Sequence, residues 1–600
     1  MVPSRDSSRH GRMPPAARRK PYAGFVVACL LAVVCTFAAA QDSPVVSGET
    51  GRRLDEYLTR LERFGFAGGA LAVRGKDVLL MKSYGLADRA RGLPLTSSSV
   101  YNLGSITKQL TAAAILTLEV QGKLSVQDPV GRYLPDVPAD KAGITLHHLL
   151  THSSGLESDF SPTDYDPVGR DEYVRRALTS TLLFTPGTGY EYSNAGYSLL
   201  AAIVELVSGQ SYEIYLIEKV LKPAGMRETG YKIPNWDRAR VAHGYRGGED
   251  WGTILERIQP PDAPYWMLRG NGGLHTTLAD MLAWHRALDT DAVLPAAARA
   301  KFFTPYVAEG PQAQSHYAYG WAVSKTPRGT RLVEHNGGNG IYVAEFLRFV
   351  DEDTMLFLTS TDADVTATPV VATLQQLVFG GAVTMPPLVI DLDPARVEPH
   401  AGPWVLADGA RLAISRDGAA LLVSPADPAG FSALNPVSAQ DAARFAQITT
   451  RTADIAARAF AGDVAPLHEA LGGGMPLEDL QQREAAMMRD REARLGKFLR
   501  SSPLGTMRRD GETVRTIVRL EFERGTVYNV YLWGPRRILG MRGAPDLPSV
   551  RFLPVSDREF AAFALDGGGT ERRLLFSAEG AQPTLTVMAP GGSTTARRPR

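Results

Sequence analysis

The stretch Gly380-Gly-Ala-Val-Thr-Met-Pro-Pro387 divides the chain into two textures that no single core can span. At 600 residues the chain is too long for one hydrophobic core, and roughly two to four domains are expected. From about Leu54 to Phe379, helical periods alternate with strand-like runs such as Gly68-Gly-Ala-Leu-Ala-Val73 and Val78-Leu-Leu-Met81, which predicts a mixed unit of the α+β class over 54–381. The Pro386-Pro387 pair marks a linker over 382–395, and residues 41–53 read as a second linker. Beyond the break, Arg411-Leu-Ala-Ile-Ser-Arg416, Ala420-Leu-Leu-Val423, Arg573-Leu-Leu-Phe576 and Thr584-Leu-Thr-Val587 are short strands punctuated by turn residues, the texture of a β-barrel or sandwich over 396–438 and 546–590. Between those strands, helical segments (Ala453 to Phe460, Leu477 to Phe498) precede alternating runs (Val514 to Gly525, Thr526 to Trp533), which predicts an inserted α+β unit over 439–545. The tail 591–600, with Thr594-Thr-Ala-Arg-Arg-Pro-Arg600, reads as disordered.

Residues 1–40 fall outside both textures. A basic stretch (Arg5, Arg9, Arg12, Arg18, Arg19, Lys20) precedes an apolar run from Ala23 to Ala40, which ends in Ala38-Ala39-Ala40 before Gln41 as a secretory signal does. The mature chain is expected in the periplasm or outside the cell, without a stable membrane span; left uncleaved, the same run is just long enough to serve as an anchor. Cys29 and Cys35 both lie inside it, so a processed chain has no disulfide, no thiolate nucleophile and no cysteine metal site. Lys+Arg 65 against Asp+Glu 64 leaves a net charge of +1, and no basic stripe interleaves with aromatics, which argues against nucleic acid as a partner.

The chemistry of the first unit starts at Ser105-Ile-Thr-Lys108. After Gly104, the residues Ile106, Leu110, Ala113, Ala114 and Leu118 recur at spacings of three and four until Gly122, which predicts an amphipathic helix with Ser105 in its first turn. Side chains three apart share a face, so the Lys108 amine reaches the Ser105 hydroxyl. The helix N-terminus favours an alkoxide and the oxyanion that follows acyl attack. A chain this long contains roughly two Ser-x-x-Lys matches by chance, and an N-cap serine followed by a solvated lysine has the same pattern.

Two further stretches carry the argument. Tyr192-Ser-Asn194 follows a Gly- and Pro-rich loop and precedes a helix from Ala195 to Ser208, so a phenol and an amide sit on one loop edge. A phenol there relays protons and an amide bridges a lysine and a carbonyl, although a buried tyrosine beside a helix-capping asparagine reads the same way. His335-Asn-Gly337 precedes Gly338-Asn-Gly-Ile-Tyr342 and the strand Ala344 to Val350. Gly337 and Gly338 remove side chains, so a substrate has room to lie against the strand and accept a backbone N–H; a hairpin needing glycine is the alternative.

Ser-x-x-Lys, Tyr-x-Asn and His-x-Gly, in that order within one domain, resemble the serine β-lactamase and penicillin-binding-protein family, in its class C and D,D-peptidase branch (peptidase S12-like). Ile144-Thr-Leu-His-His-Leu-Leu-Thr-His-Ser-Ser-Gly-Leu156, Tyr192-Ser-Asn-Ala-Gly-Tyr197 and Gly272-Gly-Leu-His-Thr-Thr-Leu-Ala-Asp280 are similar to stretches of that family. The resemblance implies an antiparallel sheet with helices on both sides plus a helical subdomain. It also implies roles: Ser105 as nucleophile, Lys108 as general base and Tyr192 as relay to the leaving group. Asn194 would orient Lys108 and the substrate amide, His335 would support Tyr192 or the substrate, Gly337 would border the substrate, and the N–H groups of Ser105 and Gly338 would form the oxyanion hole. No cofactor or metal is implied, and the expected partner is a small-molecule or peptide substrate.

His335 departs from the Lys-Thr-Gly of many relatives. An imidazole near pH 7 is mostly neutral and holds a substrate carboxylate less firmly than an ammonium, which favours peptidases or esterases over penicillinases. The β-rich region after the break is similar to the lipocalin-like domains of D-aminopeptidase-like members, and the insert resembles an NTF2-like unit. Two alternatives stand beside the hydrolase: a penicillin-binding sensor that acylates without turnover, and a true β-lactamase. His148 and His152 are four apart beside His147, but no glutamate completes a His-Glu-x-x-His zinc motif.

Overall fold

The computed structural model describes residues 43–600 except 159–162, 259–265, 311, 366, 473–475, 511–512, 545–548, 566–568, 578–582, 591 and 600. The expected signal segment, its cleavage site and both cysteines lie outside the described residues.

Among the described residues, nine strands form the main sheet: β1 Val45–Val46, β2 Gly68–Arg74, β3 Asp77–Tyr84, β4 Val307–Ala308, β5 His316–Tyr317, β6 Ala322–Lys325, β7 Arg331–Gly338, β8 Val343–Phe349 and β9 Thr354–Ser360. Their order is β1-β3-β2-β9-β8-β7-β6-β5-β4, every neighbour antiparallel. Successive side chains alternate between two cores: Leu71, Val73, Phe346 and Phe357 enter one, while Ala70, Ala72, Leu347 and Leu358 enter the other. Helices therefore cover both faces, which is why the central strands read as continuous apolar runs. One face carries α1 Gly48–Glu62 and α4 Ala367–Val378; the other carries α2 Thr107–Val120, α3 Asn194–Ser208 and the remaining helical layer.

Residues 45–53, expected as linker, belong to this unit. Val45 and Val46 pair with Met81 and Leu80, and α1 buries Leu54, Tyr57, Leu58 and Leu61. A two-residue edge strand is too short to show alternation, and the polar start of α1 (Gly48-Glu-Thr-Gly-Arg-Arg53) hides its period until Leu54. The α2 helix also differs from expectation. It is not amphipathic, because every residue from Thr107 to Leu118 is buried. Some of its polar atoms are paired: Gln109 Oε1 accepts from Trp284 Nε1 at 3.0 Å, and Thr111 Oγ1 donates to Gly270 O at 2.6 Å, whereas Thr107 Oγ1 and Gln109 Nε2 have no hydrogen-bond partner among the described residues.

After residues 382–393, which form no helix or strand, eight strands close a barrel: Gly402–Leu406, Arg411–Asp417, Ala420–Pro425, Val550–Pro554, Glu559–Ala564, Thr570–Ser577, Thr584–Ala589 and Gly592–Arg597. The last of these corrects the expected disordered tail. It pairs with Thr584–Ala589 and with Gly402–Leu406, so it is the strand that closes the barrel. Only Ala596 points fully inward from this Ser- and Thr-rich strand, so no apolar alternation reveals it. The barrel is interrupted by helices Ala439–Phe460, Ala465–Leu471 and Leu477–Leu495, which pack on a four-stranded antiparallel sheet (Phe498–Asp510, Thr513–Phe522, Gly525–Trp533, Ile538–Ala544) with its own core. Among the described residues no single helix is long and apolar enough to cross a membrane.

Candidate active site

Ser105 sits in a short turn of 3-10 helix, Gly104–Ile106, that runs directly into α2. The turn is anchored where Gly104 N–H bonds to Asn102 Oδ1 at 3.0 Å and Leu103 N–H bonds to Leu274 O at 2.8 Å. Gly104 has a left-handed φ of +50°, and a Cβ there would lie 2.5 Å from Gly338 N, so the residue must be glycine on both counts. Lys108 follows one turn later and is fully buried. Its Nζ donates to Ser105 Oγ at 3.0 Å, to Asn194 Oδ1 at 2.7 Å and to Asn271 O at 2.8 Å. The same ammonium lies 4.7 Å from the centre of the Tyr192 ring. The structure thus brings together Ser105, Lys108, Tyr192 and Asn194, the last at the first turn of α3.

The third stretch lies on β7. Asn339 N–H bonds to Tyr342 O at 3.3 Å, and from that pair the antiparallel alternation runs back along β7. Gly337 and His335 exchange bonds with β8, whereas Gly338 and Asn336 turn their N–H and C=O groups to the other side. β6 pairs with β7 only as far as Glu334, so that edge is open next to the Ser105 turn. The Gly338 N–H and the unshared first-turn N–H of Ser105 are the two donors available to an oxyanion.

Gly337 has a different role from the one expected. A Cβ there would meet Leu103 O at 2.1 Å and Ser105 N at 2.8 Å, so its missing side chain admits the nucleophile turn, not the substrate. Gly337→Ala is expected to displace Ser105, lowering kcat/KM by about 10²-fold together with the melting temperature. A Cβ on Gly338 would find its nearest atoms at 3.4 and 3.8 Å, so Gly338→Ala is expected to keep the wild-type melting temperature. Thermal melts of the two variants check this asymmetry.

His335 is also corrected. It is buried, and both ring nitrogens are engaged beneath the site: Nδ1 lies 2.5 Å from Asn336 O and Nε2 lies 2.8 Å from Tyr317 OH. A carbonyl only accepts, so the proton is on Nδ1 and Nε2 accepts from the phenol. Burial, and then the Lys108 charge, hold the imidazole pKa down to about 3 against the opposing bond to Asn336 O. His335 is therefore a neutral positioning group whose nitrogens are committed to protein partners, and it does not reach a substrate carboxylate.

Three contributors carry a part in this site that the sequence does not assign to them. Asn271 offers its backbone carbonyl to Lys108 while its side chain donates to Ser198 Oγ and Met267 O, both at 2.8 Å. The signal for it was the run Gly270-Asn-Gly-Gly273, in which Gly270 has a φ of +79° and abuts Tyr197 and Ala201 of α3. Tyr317 comes from a two-residue strand, and His152 from the turn after Leu146–Leu150. The histidines weighed as zinc ligands point to separate partners: His147 Nδ1 to Tyr319 OH at 2.8 Å, His148 Nδ1 to Thr145 N–H at 3.3 Å, and His152 Nδ1 to Ser193 N–H at 3.0 Å.

Residues 54–376 match the family model for Beta-lactamase. Penicillin-binding protein 4* of Bacillus subtilis (strain 168) is 29% identical over 370 residues, which covers 58% of this chain and 81% of the relative. Esterase EstB of Burkholderia gladioli is 34% identical over 212 residues, 32% of this chain and 54% of the relative. A structure of the octameric penicillin-binding protein homologue from Pyrococcus abyssi superposes with a TM-score of 0.50 at 17% identity, covering 91% of this chain and 99% of that one, a likeness of fold. The family model spans more than half of the chain and includes every residue of the Ser105 site, so this protein belongs to the β-lactamase family, a serine-hydrolase-type family with penicillin-binding-protein-like and esterase members.

Proposed function

We propose that this protein is an exported serine hydrolase that acylates Ser105 and cleaves an ester, an amide or a peptide bond next to a D-amino acid. The observation that carries the reading is the Lys108 ammonium, buried and bonded at once to Ser105 Oγ, Asn194 Oδ1 and Asn271 O. In the reaction Lys108 acts as the neutral amine, keeping its N–H bonds to Asn194 Oδ1 and Asn271 O while its lone pair takes the Ser105 proton as Oγ attacks the carbonyl carbon; Tyr192 then hands its phenol proton to the leaving group and recovers one from Lys108. The oxyanion is held by the N–H groups of Ser105 and Gly338, and Asn194 orients the substrate amide. Water then releases the acyl group. Export is supported by the basic segment and apolar run of residues 1–40.

Neutral His335 directs the substrate class. With both imidazole nitrogens committed to Tyr317 and Asn336, residue 335 supplies no cation for a carboxylate, so substrates without a free carboxylate beside the scissile bond suit this site better than cephalosporins. A panel of short p-nitrophenyl esters, D-alanyl p-nitroanilide, D-alanyl-D-alanine peptides and a chromogenic cephalosporin tests this. The ester and the D-anilide are expected to turn over with kcat/KM at least roughly tenfold above the cephalosporin, since one charge-assisted contact is worth about that factor or more. Fastest turnover on the cephalosporin would reverse the substrate assignment, and acylation without turnover across the panel would make the protein a sensor.

A further inference from the structure

We propose that His152 is a positioning residue for acyl transfer, clasping Tyr192 on both sides so that the phenol stays registered against Lys108 and Ser105. The inference rests on the serine hydrolase reading of the same site.

The clasp has two arms from one residue. The N–H of Glu191, just before Tyr192, bonds to His152 O at 2.9 Å. The N–H of Ser193, just after it, bonds to His152 Nδ1 at 3.0 Å. The Tyr192 ring lies against the imidazole with a centroid distance of 4.2 Å, and Tyr317, the partner of His335, packs on the same imidazole at 4.4 Å. Asn194, which holds Lys108, is the next residue along. A shift of His152 is therefore felt by the relay, by the lysine's partner and by the third stretch together.

Two features of His152 have no use in packing alone. Its backbone has a left-handed φ of +57°, a conformation uncommon outside glycine that asparagine, aspartate and histidine enter more readily than other side chains. Since Nδ1 accepts from Ser193 N–H, the imidazole proton is on Nε2, a fully buried atom with no hydrogen-bond partner among the described residues. A phenylalanine would fill the space without the buried Nε2–H but would leave the Ser193 N–H without its acceptor, so what the histidine adds is the acceptor at Nδ1. Burial, with Lys108 and His335 as neighbouring groups, keeps the imidazole neutral and that acceptor available.

Two substitutions separate the acceptor from the ring. His152→Phe keeps an aromatic ring against Tyr192 and Tyr317 and removes the acceptor; His152→Asn removes the ring, places an oxygen near the Nδ1 position and tolerates a left-handed backbone. In the full chain, with a p-nitrophenyl ester, His152→Phe is expected to lower kcat about 10²-fold with KM within about threefold, as a misplaced group does, and to lower the melting temperature by several degrees because the Ser193 N–H loses its acceptor. His152→Asn is expected to recover kcat to within about tenfold of wild type. Wild-type kcat in His152→Phe, or an equal loss in both variants, overturns the proposal. Fluorophosphonate labelling of wild-type Ser105 is measured in parallel: without it the acyl-transfer reading fails and the role of His152 with it, whereas labelled wild type with a fully active His152→Phe overturns the role of His152 alone.

Discussion

Ser105→Ala is expected to abolish turnover of an activated ester and to remove covalent labelling by a fluorophosphonate or a penicillin, while the protein melts at the wild-type temperature. The loss in kcat should reach roughly 10³- to 10⁶-fold, because deleting a nucleophile leaves only binding and the oxyanion donors. Neighbouring hydroxyls are poor substitutes. Ser193 Oγ donates to Glu157 O at 2.9 Å and Ser198 Oγ to Arg269 O at 2.8 Å, so both are committed to backbone carbonyls, whereas Ser105 Oγ is bonded to Lys108 Nζ. Removing one oxygen from a half-buried residue leaves the anchors of the turn, Asn102 Oδ1 and Leu274 O, in place. Intact-protein mass after labelling reads the result directly. Labelling that persists in Ser105→Ala moves the nucleophile elsewhere and removes the basis of the proposed reaction.

The parts of this site that were legible in the sequence are those that local geometry sets. A three-residue spacing on a helix places Lys108 beside Ser105, and a helix N-terminus places Asn194 within reach of the same amine. What was illegible enters through backbone atoms or ring contacts, which residue identity does not report. Asn271 contributes a carbonyl that any residue carries, His152 contributes one imidazole nitrogen and a carbonyl, and Tyr317 contributes a hydroxyl to His335 and a ring face to His152. Gly337 was read for the right property and the wrong neighbour: the missing Cβ matters, but it is the nucleophile turn that fills the space.

The same division runs through the fold. Long strands and helices with clear periods were legible, whereas short or polar elements became legible only through their partners. Val45–Val46 is a strand because β3 offers it an edge, and Gly592–Arg597 is one because the barrel needs closing. The α2 helix shows the opposite error, since spacings of three and four imply a polar face that the surrounding helices and sheet in fact bury. Its buried Gln109 Oε1 and Thr111 Oγ1 are tolerated because Trp284 and Gly270 supply their bonds. The barrel's boundary with the catalytic unit is likewise tertiary: Phe563 packs on Phe64 at a centroid distance of 5.9 Å, and Arg63 pairs with Asp391 at 2.8 Å.

Lys108→Met separates the stability of the buried amine from its chemistry, and the two are expected to move differently. Burying an ammonium costs several kcal/mol before its bonds are counted, and a thioether of similar length fills the space without that cost. Against this gain, three acceptors lose their donor. Asn194 and Ser105 are half-buried residues whose polar atoms can be rehydrated, whereas Asn271 is buried and its carbonyl is stranded, at about 1–3 kcal/mol. The terms nearly cancel, and the melting temperature is expected to stay within about 5 °C of wild type. Acylation, by contrast, should slow roughly 10²- to 10⁴-fold, the usual contribution of a positioned base, because no other group is shown bonded to Ser105 Oγ. Single-turnover labelling with a fluorophosphonate distinguishes this variant from Ser105→Ala: slow but complete modification at Ser105 is expected here, and none there. If Lys108→Met acylates at the wild-type rate, the proton must leave Ser105 by another route, and the adjacent Tyr192, as its phenolate, becomes the base.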